Sequence, residues 1–298
     1  MWKEKYLEGV FSELDDSTNI KEYEETLKKL PQKVYKYLAF NNEYAFKNLE
    51  NNILACSRPK DFNDPYDCAI FMNIKNILNQ DENYRTIKRN FELAIDRMKN
   101  SPLFDSFKEQ ILKKQNVDVN DFSLDDFEFD KDVIKSKNKA IESIKNKISI
   151  GCLSEKNDSI LMWSHYAYNH SGFCIEYDFN QLQNTVGYIL PVIYKTNPSS
   201  LDICKAKSND GLAKIMPFLI KAEEWHYEQE WRIIKTDMKF CEERRIIEMP
   251  KPTAIYMGCK IDEKNEKRLK EFCLRKKIQL YKKQMKEDSF VLESLRII

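Results

Sequence analysis

Glu228-Gln229-Glu230-Trp231-Arg232, entered through Trp225-His226-Tyr227, is the stretch of this chain best equipped for chemistry. Two carboxylates two positions apart, at the start of a strand, project from one face because strand side chains alternate with a period of 2. Side by side they repel, so one of them should hold its proton to higher pH than an isolated glutamate. Such a pair can stabilise an oxocarbenium ion, the cation formed when a glycosidic C–O or C–N bond breaks. Trp225, Tyr227 and Trp231 lower the local dielectric and offer flat surfaces for stacking. The same pattern also suits a solvated strand edge with Arg232 in a salt bridge.

Two further constellations can carry chemistry. The run from Trp163 to Gly172 gathers Ser164, His165, Tyr166, Tyr168 and His170 at a helix-to-strand junction. Ser164 and His165 are adjacent, and helical neighbours point about 100° apart, so they should not form a Ser–His pair. His165 is a candidate ligand contact or acid/base, and its alternative role is capping helix carbonyls. Gly172 suits the left-handed turn that ends a helix. The third constellation is Tyr35-Lys36-Tyr37 with Ser57 and Asn63-Asp64-Pro65. A cation between two tyrosines can bind a phosphate or carboxylate while the rings hold a flat group. The alternative is an edge strand with Lys36 in solvent.

Positioning these groups requires strands at both ends of the chain. Val34–Leu38 is rich in strand formers, a helix with Tyr44, Phe46 and Leu49 inward follows, and Ile53–Ser57 is a short second strand. Asn41 and Asn42 can cap that helix. The prolines and aspartates of Arg58–Asp67 make a fixed turn. Later strands are expected at Ile148–Ser154, Gly172–Asp178, Leu190–Tyr194, Glu230–Lys235 and Ala254–Cys259, with a closing hairpin of Ile278–Lys283 and Phe290–Ile297. Helices are expected at Leu161–Tyr166 behind an Asp158-Ser159 cap, at Ala213–Ala222 despite Pro217, and at Glu263–Arg275. Strands and helices do not alternate strictly, which points to an α+β fold with a mixed sheet. Residues 71–147 are rich in Lys, Asn, Asp and Glu, with apolar positions at helical spacing, and read as a helical insertion into a core of 31–70 and 148–298. Residues 1–30 read as a helical N-terminal arm.

Composition narrows the function. In 298 residues, 49 basic and 48 acidic side chains leave a net charge of +1, which gives no long-range pull on nucleic acid or anionic lipid. A 42% hydrophobic and 12% aromatic content supports a real core rather than a disordered chain. No apolar run is long enough for a membrane span and no signal core opens the chain, so a soluble cytoplasmic protein with no membrane partner is expected. The eight cysteines form no C-x-x-C pair and there are three histidines, so neither a disulfide framework nor a metal site is expected.

Tyr35-Lys36-Tyr37, Leu49–Asn52 into Ile53–Ser57, Pro59–Pro65, Met162–Tyr166 through Gly172–Asp178 and Trp225–Arg232 together resemble a bacterial family of unknown function, DUF2971, across roughly residues 33–260. A weaker resemblance is to the ADP-ribosyltransferase superfamily: a strand with a central polar residue, a helix, a strand ending in Ser, and Glu-x-Glu entering a strand. That resemblance implies a split β-sheet whose cleft binds NAD as substrate. It implies Glu230 as the catalytic glutamate, Glu228 as its acceptor-orienting partner, Ser57 on the second strand, and Lys36 where that superfamily carries His or Arg. Tyr35, Tyr37, Asn63, Asp64, His165, Tyr166, Trp225, Tyr227 and Arg232 complete the expected nucleotide site. Transfer to a protein, nucleic-acid or water acceptor, in bacterial stress or anti-phage defence, is the implied role. Two other readings stand beside it: a non-catalytic nucleotide sensor or interaction module, and a metal-dependent phosphodiesterase using Asp61, Asp64 and Asp67 near Glu228.

Overall fold

The computed structural model describes residues 2–11, 17–40, 43–68, 145–196, 215–236 and 245–298, with helical residues 85–86, 89–90, 93, 139 and 142–143 between them. The chain divides into two units, one of residues 1–70, 144–198 and 206–298, the other of 71–143 with 199–205. Most of the insertion expected at 71–147 lies outside the described residues, as do Asn41 and Asn42.

The first unit is a mixed α+β body built on one eight-stranded sheet. Its strands are β1 (Lys33–Leu38), β3 (Ile148–Ser154), β4 (Phe173–Asp178), β5 (Leu190–Pro191), β8 (Glu230–Thr236), β10 (Ala254–Met257), β11 (Gln279–Met285) and β12 (Leu292–Arg296), in the order β12-β11-β10-β4-β1-β3-β8-β5. Only β10 and β11 run parallel; the remaining neighbours are antiparallel. Two small ribbons complete it: β2 (Ile53–Ala55) with β9 (Ile246–Glu248), and β6 (Ile193–Lys195) parallel to β7 (Ile220–Ala222).

β1 is paired unevenly, and that unevenness makes room for a site. Against β4 it is in register from Lys33↔Asp178 to Leu38↔Phe173, whereas against β3 it meets only at Tyr35↔Ser154. Beyond that pair, β3 turns to another partner: Ser57 and Ile150 exchange both backbone hydrogen bonds, at 2.9 and 2.8 Å. Gly151 permits this approach, since a Cβ there would lie 2.7 Å from the Leu54 side chain. The backbones of β1 and β3 therefore part around Lys36-Tyr37 and Cys152-Leu153.

Helices cover the sheet: α1 (Trp2–Phe11), α2 (Ser17–Leu27), α3 (Glu43–Glu50), α4 (Ile160–Tyr166), α5 (Phe179–Val186) and α6 (Glu263–Lys276). Ser159 caps α4 by accepting from Met162 N, and Trp163 on its inner face is fully buried. α6 is capped by Asp262 and buries Leu269, Phe272 and Cys273 as it links β10 to parallel β11. α1 lays Trp2 and Tyr6 against the Trp231 ring, with centroids 6.4 and 6.1 Å away. Among the described residues, no helix is long and apolar enough to cross a membrane.

Four local expectations are corrected. The helix expected at Ala213–Ala222 is a 3₁₀ turn at Met216–Phe218 followed by β7, because Pro217 cannot continue a helix and the apolar Leu219-Ile220 pairs with β6 instead. The strand expected at Leu190–Tyr194 changes partner in its middle: Pro191 has no N–H, Val192 N donates to Glu230 O, and Ile193 N donates to Leu219 O. Tyr44 points to solvent on α3, which buries Ala45, Phe46 and Leu49. The left-handed turn after α4 is made by Tyr168, Asn169 and His170, at φ 47°, 52° and 68°; Gly172 is needed because a Cβ there would lie 2.2 Å from Leu38 O.

Candidate functional site

A cavity of about 420 Å³ lies where β1 and β3 part. Tyr35, Lys36 and Tyr37 line it from β1, and Cys152, Leu153 and Ser154 from β3. Ser57, Asp61, Phe62, Asn63 and Asp67 close one side, Met162, His165 and Tyr166 come from α4, and Lys221, Glu228 and Glu230 line it as well.

Glu228 and Glu230 meet through a turn rather than through strand alternation. Glu228 ends a 3₁₀ helix, Glu223–Glu228; Gln229 is left-handed at φ 46°, and only Glu230 begins β8. The turn is held by Ser154 Oγ donating to Glu228 O at 2.6 Å, Glu155 N to Gln229 O at 3.0 Å, and Glu230 N to the Tyr194 hydroxyl at 2.8 Å. Both carboxylates are buried, 3% exposed each, so their partners decide what they can do.

Arg232 grips Glu230 with both arms of its fork, Nε to Oε1 at 2.8 Å and Nη2 to Oε2 at 2.9 Å. It also donates to Asp67 Oδ2 at 2.7 Å and Phe218 O at 2.7 Å. Lys221 donates to Glu228 Oε2 at 2.6 Å and to Glu230 Oε2 at 3.3 Å, and lies 3.4 Å from Asp67 Oδ2. The Tyr166 hydroxyl donates to Glu228 Oε1 at 2.6 Å.

These surroundings drive the two glutamates apart. Burial pushes Glu230 upward, but Arg232 and Lys221 outweigh it and bring the carboxyl down to about 2. Burial raises Glu228, and Lys221 only partly offsets that rise, to which the Glu230 charge adds. Glu230 is thus a fixed anion at neutral pH, and Glu228 is the member of the pair that takes up a proton more readily than usual. Although burial alone would lower it, the three carboxylates hold Lys221 charged.

The expected residues fall into two sets. Glu228, Glu230, Tyr35, Lys36, Tyr37, Ser57, Asn63, His165 and Tyr166 line the cavity; Asp64, Trp225, Tyr227 and Arg232 do not. Arg232 stands wholly buried behind Glu230. Asp64 serves a turn with one oxygen, Oδ1 accepting from Tyr66 N at 2.8 Å, while Oδ2 is buried without a hydrogen-bond partner among the described residues. The Trp225 ring lies 4.8 Å from Lys221 Nζ, and the Tyr227 hydroxyl is 3.0 Å from His165 Nδ1. Strand alternation sends Lys36 to the face opposite Tyr35 and Tyr37, and it reaches across the gap to donate to Cys152 O at 3.1 Å. Ser164 does not pair with His165 but lies 3.0 Å from His170 Nε2, away from the cavity lining. Ring contacts wall the site: Tyr37 packs edge-on to Trp163 at 5.3 Å, and Tyr35 to Tyr256 at 6.1 Å.

Lys221 is the charged cavity residue that reasoning from spacing does not single out. Its signal was a lone lysine at the end of the apolar run Phe218-Leu219-Ile220, a cation that burial obliges to find carboxylates. Among the described residues, no group of three or more His, Cys, Asp or Glu is arranged to hold a metal ion. Of the aspartates considered for one, Asp61 pairs with Arg58 at 2.8 Å, Asp64 accepts from Tyr66 N through Oδ1 and leaves Oδ2 without a partner among the described residues, and Asp67 is shared by Arg232 and Lys221.

Residues 162–233 match the model of a family described as a protein of unknown function, DUF2971. The matched segment runs from α4 into β8 and carries His165, Tyr166, Lys221, Glu228 and Glu230. No curated protein and no solved structure matches the chain.

Proposed function

We propose that the cleft between β1 and β3 binds a nicotinamide dinucleotide and breaks its N-glycosidic bond, passing ADP-ribose to an acceptor. The observation that carries this reading is the divided glutamate pair: one carboxylate fixed as an anion, the other readier to take a proton, both at one aromatic-walled cavity. Carboxylates with separated proton affinities are the usual arrangement for charge stabilisation by one and proton transfer by the other. The cavity volume of about 420 Å³ lies in the range of small-molecule sites.

In this reading the C–N bond between the ribose and nicotinamide breaks and its electron pair leaves with nicotinamide. Glu230, unable to protonate near neutral pH, stabilises the cation developing on the ribose. The acceptor's lone pair forms the new bond at the same carbon, and its proton passes to Glu228. Tyr35 offers ring surface, and the Lys36 ammonium, which reaches the gap at Cys152 O, supplies a cation for the phosphates. A lysine here is a point charge without the bidentate fork of arginine, so phosphate binding at this wall rests on charge rather than geometry. The parting of β1 from β3 beyond Tyr35↔Ser154, within one continuous sheet, is the opening this reading assigns to the cleft.

The test is release of nicotinamide from NAD, followed by chromatography. Wild-type protein should release it, and Glu230→Gln should lower the rate by about 10²–10³, the loss typical of one electrostatic group aimed at developing charge. No release by the wild type, with water, alcohols, amines or protein present as acceptors, refutes the proposal.

A second reading has its own observation. Both oxygens of Glu230 are already engaged by Arg232, as in a structural ion pair, which suits a cleft that binds a nucleotide without altering it. Stabilisation by nucleotides in thermal melts, equal in wild type and Glu230→Gln and without nicotinamide release, favours that module.

A further inference from the structure

The ammonium of Lys221 lies 2.6 Å from Glu228 Oε2, 3.3 Å from Glu230 Oε2 and 3.4 Å from Asp67 Oδ2, and the side chain is 5% exposed. Three carboxylates converging on one point form the seat that an amine or guanidinium from outside would take. Here the chain fills it with its own cation. Asp67, Glu228 and Glu230 face two cations of the chain itself, Lys221 and Arg232.

We infer that the acceptor is a neutral hydroxyl, of water or an alcohol, and that amines and guanidinium groups are turned away because Lys221 already occupies the cation seat. The inference rests on the transfer reading above and names its acceptor class. As the C–N bond breaks, the electron pair leaves with nicotinamide. A hydroxyl oxygen lone pair forms the C–O bond at that carbon, and the hydroxyl proton passes to Glu228. Oε1 of Glu228 accepts from Tyr166 and Oε2 from Lys221, and each carboxylate oxygen keeps a second lone pair for that proton.

Wild-type protein is incubated with NAD in water containing both methanol and agmatine, and the products are separated by mass. Free ADP-ribose and its methyl riboside should form, with any agmatine adduct about 100-fold less abundant, the scale of like charges forced together. An agmatine adduct matching the methyl riboside overturns the inference and leaves the transfer reading standing. Absence of nicotinamide release refutes the transfer reading instead, and the seat is then decided without NAD. Ethylammonium should raise the melting temperature of Lys221→Ala by several degrees and leave the wild type unchanged. No rise in the variant, or an equal rise in both, overturns the seat. Should Lys221→Ala fail to fold, agmatine is titrated into the wild type by calorimetry. Heat that disappears in Glu228→Gln overturns the inference, and no heat upholds it.

Discussion

Arg232→Met removes the guanidinium on which the buried cluster depends and leaves a side chain of similar length. Arg232 is fully buried and makes two hydrogen bonds to Glu230 and one each to Asp67, Phe218 O and Cys68 Sγ. Without it, Asp67, Glu228 and Glu230 would face Lys221 as the one cation of the cluster, and the Phe218 carbonyl would lose its charged donor. Breaking a buried pair by removing one partner costs about 3–5 kcal/mol. At roughly 2–4 °C per kcal/mol, that lowers the melting temperature by roughly 6–20 °C. Urea unfolding at pH 7 reads it directly, through fluorescence of the buried Trp163 and Trp231. The double variant Arg232→Met with Glu230→Gln should recover part of the loss, because the cost comes from the stranded anion. A loss under about 1 kcal/mol, the worth of an exposed ion pair, would refute the reasoning that this cluster is desolvated and mutually dependent.

The two glutamates should respond to mutation with opposite signs. Glu228→Gln lets the amide keep Tyr166 and Lys221 as neighbours and leaves two carboxylates facing two cations, so at pH 7 it should be as stable as the wild type or about 1 kcal/mol more stable. Because the folded state raises Glu228, that advantage is expected to shrink as pH falls toward the ordinary carboxylate range, which urea melts at pH 7 and pH 4 compare. Glu230 is lowered from 4.5 to about 2, so its contribution is present above pH 4.5 and fades as pH drops toward 2; acid titration of Glu230→Gln should lack that component. Tyr166→Phe removes the hydroxyl that favours the Glu228 anion, so the infrared band of its protonated carboxyl should persist to higher pH than in the wild type.

Strands were legible where β-branched and aromatic residues run between turn formers, as at Ile148–Ser154, whose bounds the structure reproduces. The α+β class followed from their irregular alternation with helices. What was not legible depended on partners far away in sequence. β7 exists because Ile220 finds Ile193, and nothing local in Ile215–Ala222 separates that from a helix broken by Pro217. The convergence of Glu228 and Glu230 was anticipated for a different reason: alternation on one strand would have aligned them, whereas the left-handed Gln229 does so here. Nor could spacing show that Arg232, two residues on from Glu230, would clamp that carboxylate from behind. Lys221, reaching the cluster from β7, is missing from any reading that looks for chemistry only among carboxylates and aromatics.

The most direct measurement is a crystal structure of Glu230→Gln soaked with NAD. Density is expected in the gap between β1 and β3, with the nicotinamide ribose beside residue 230 and a phosphate within reach of Lys36. Ligand bound elsewhere on the chain, or a gap left empty at saturating NAD, would contradict that expectation.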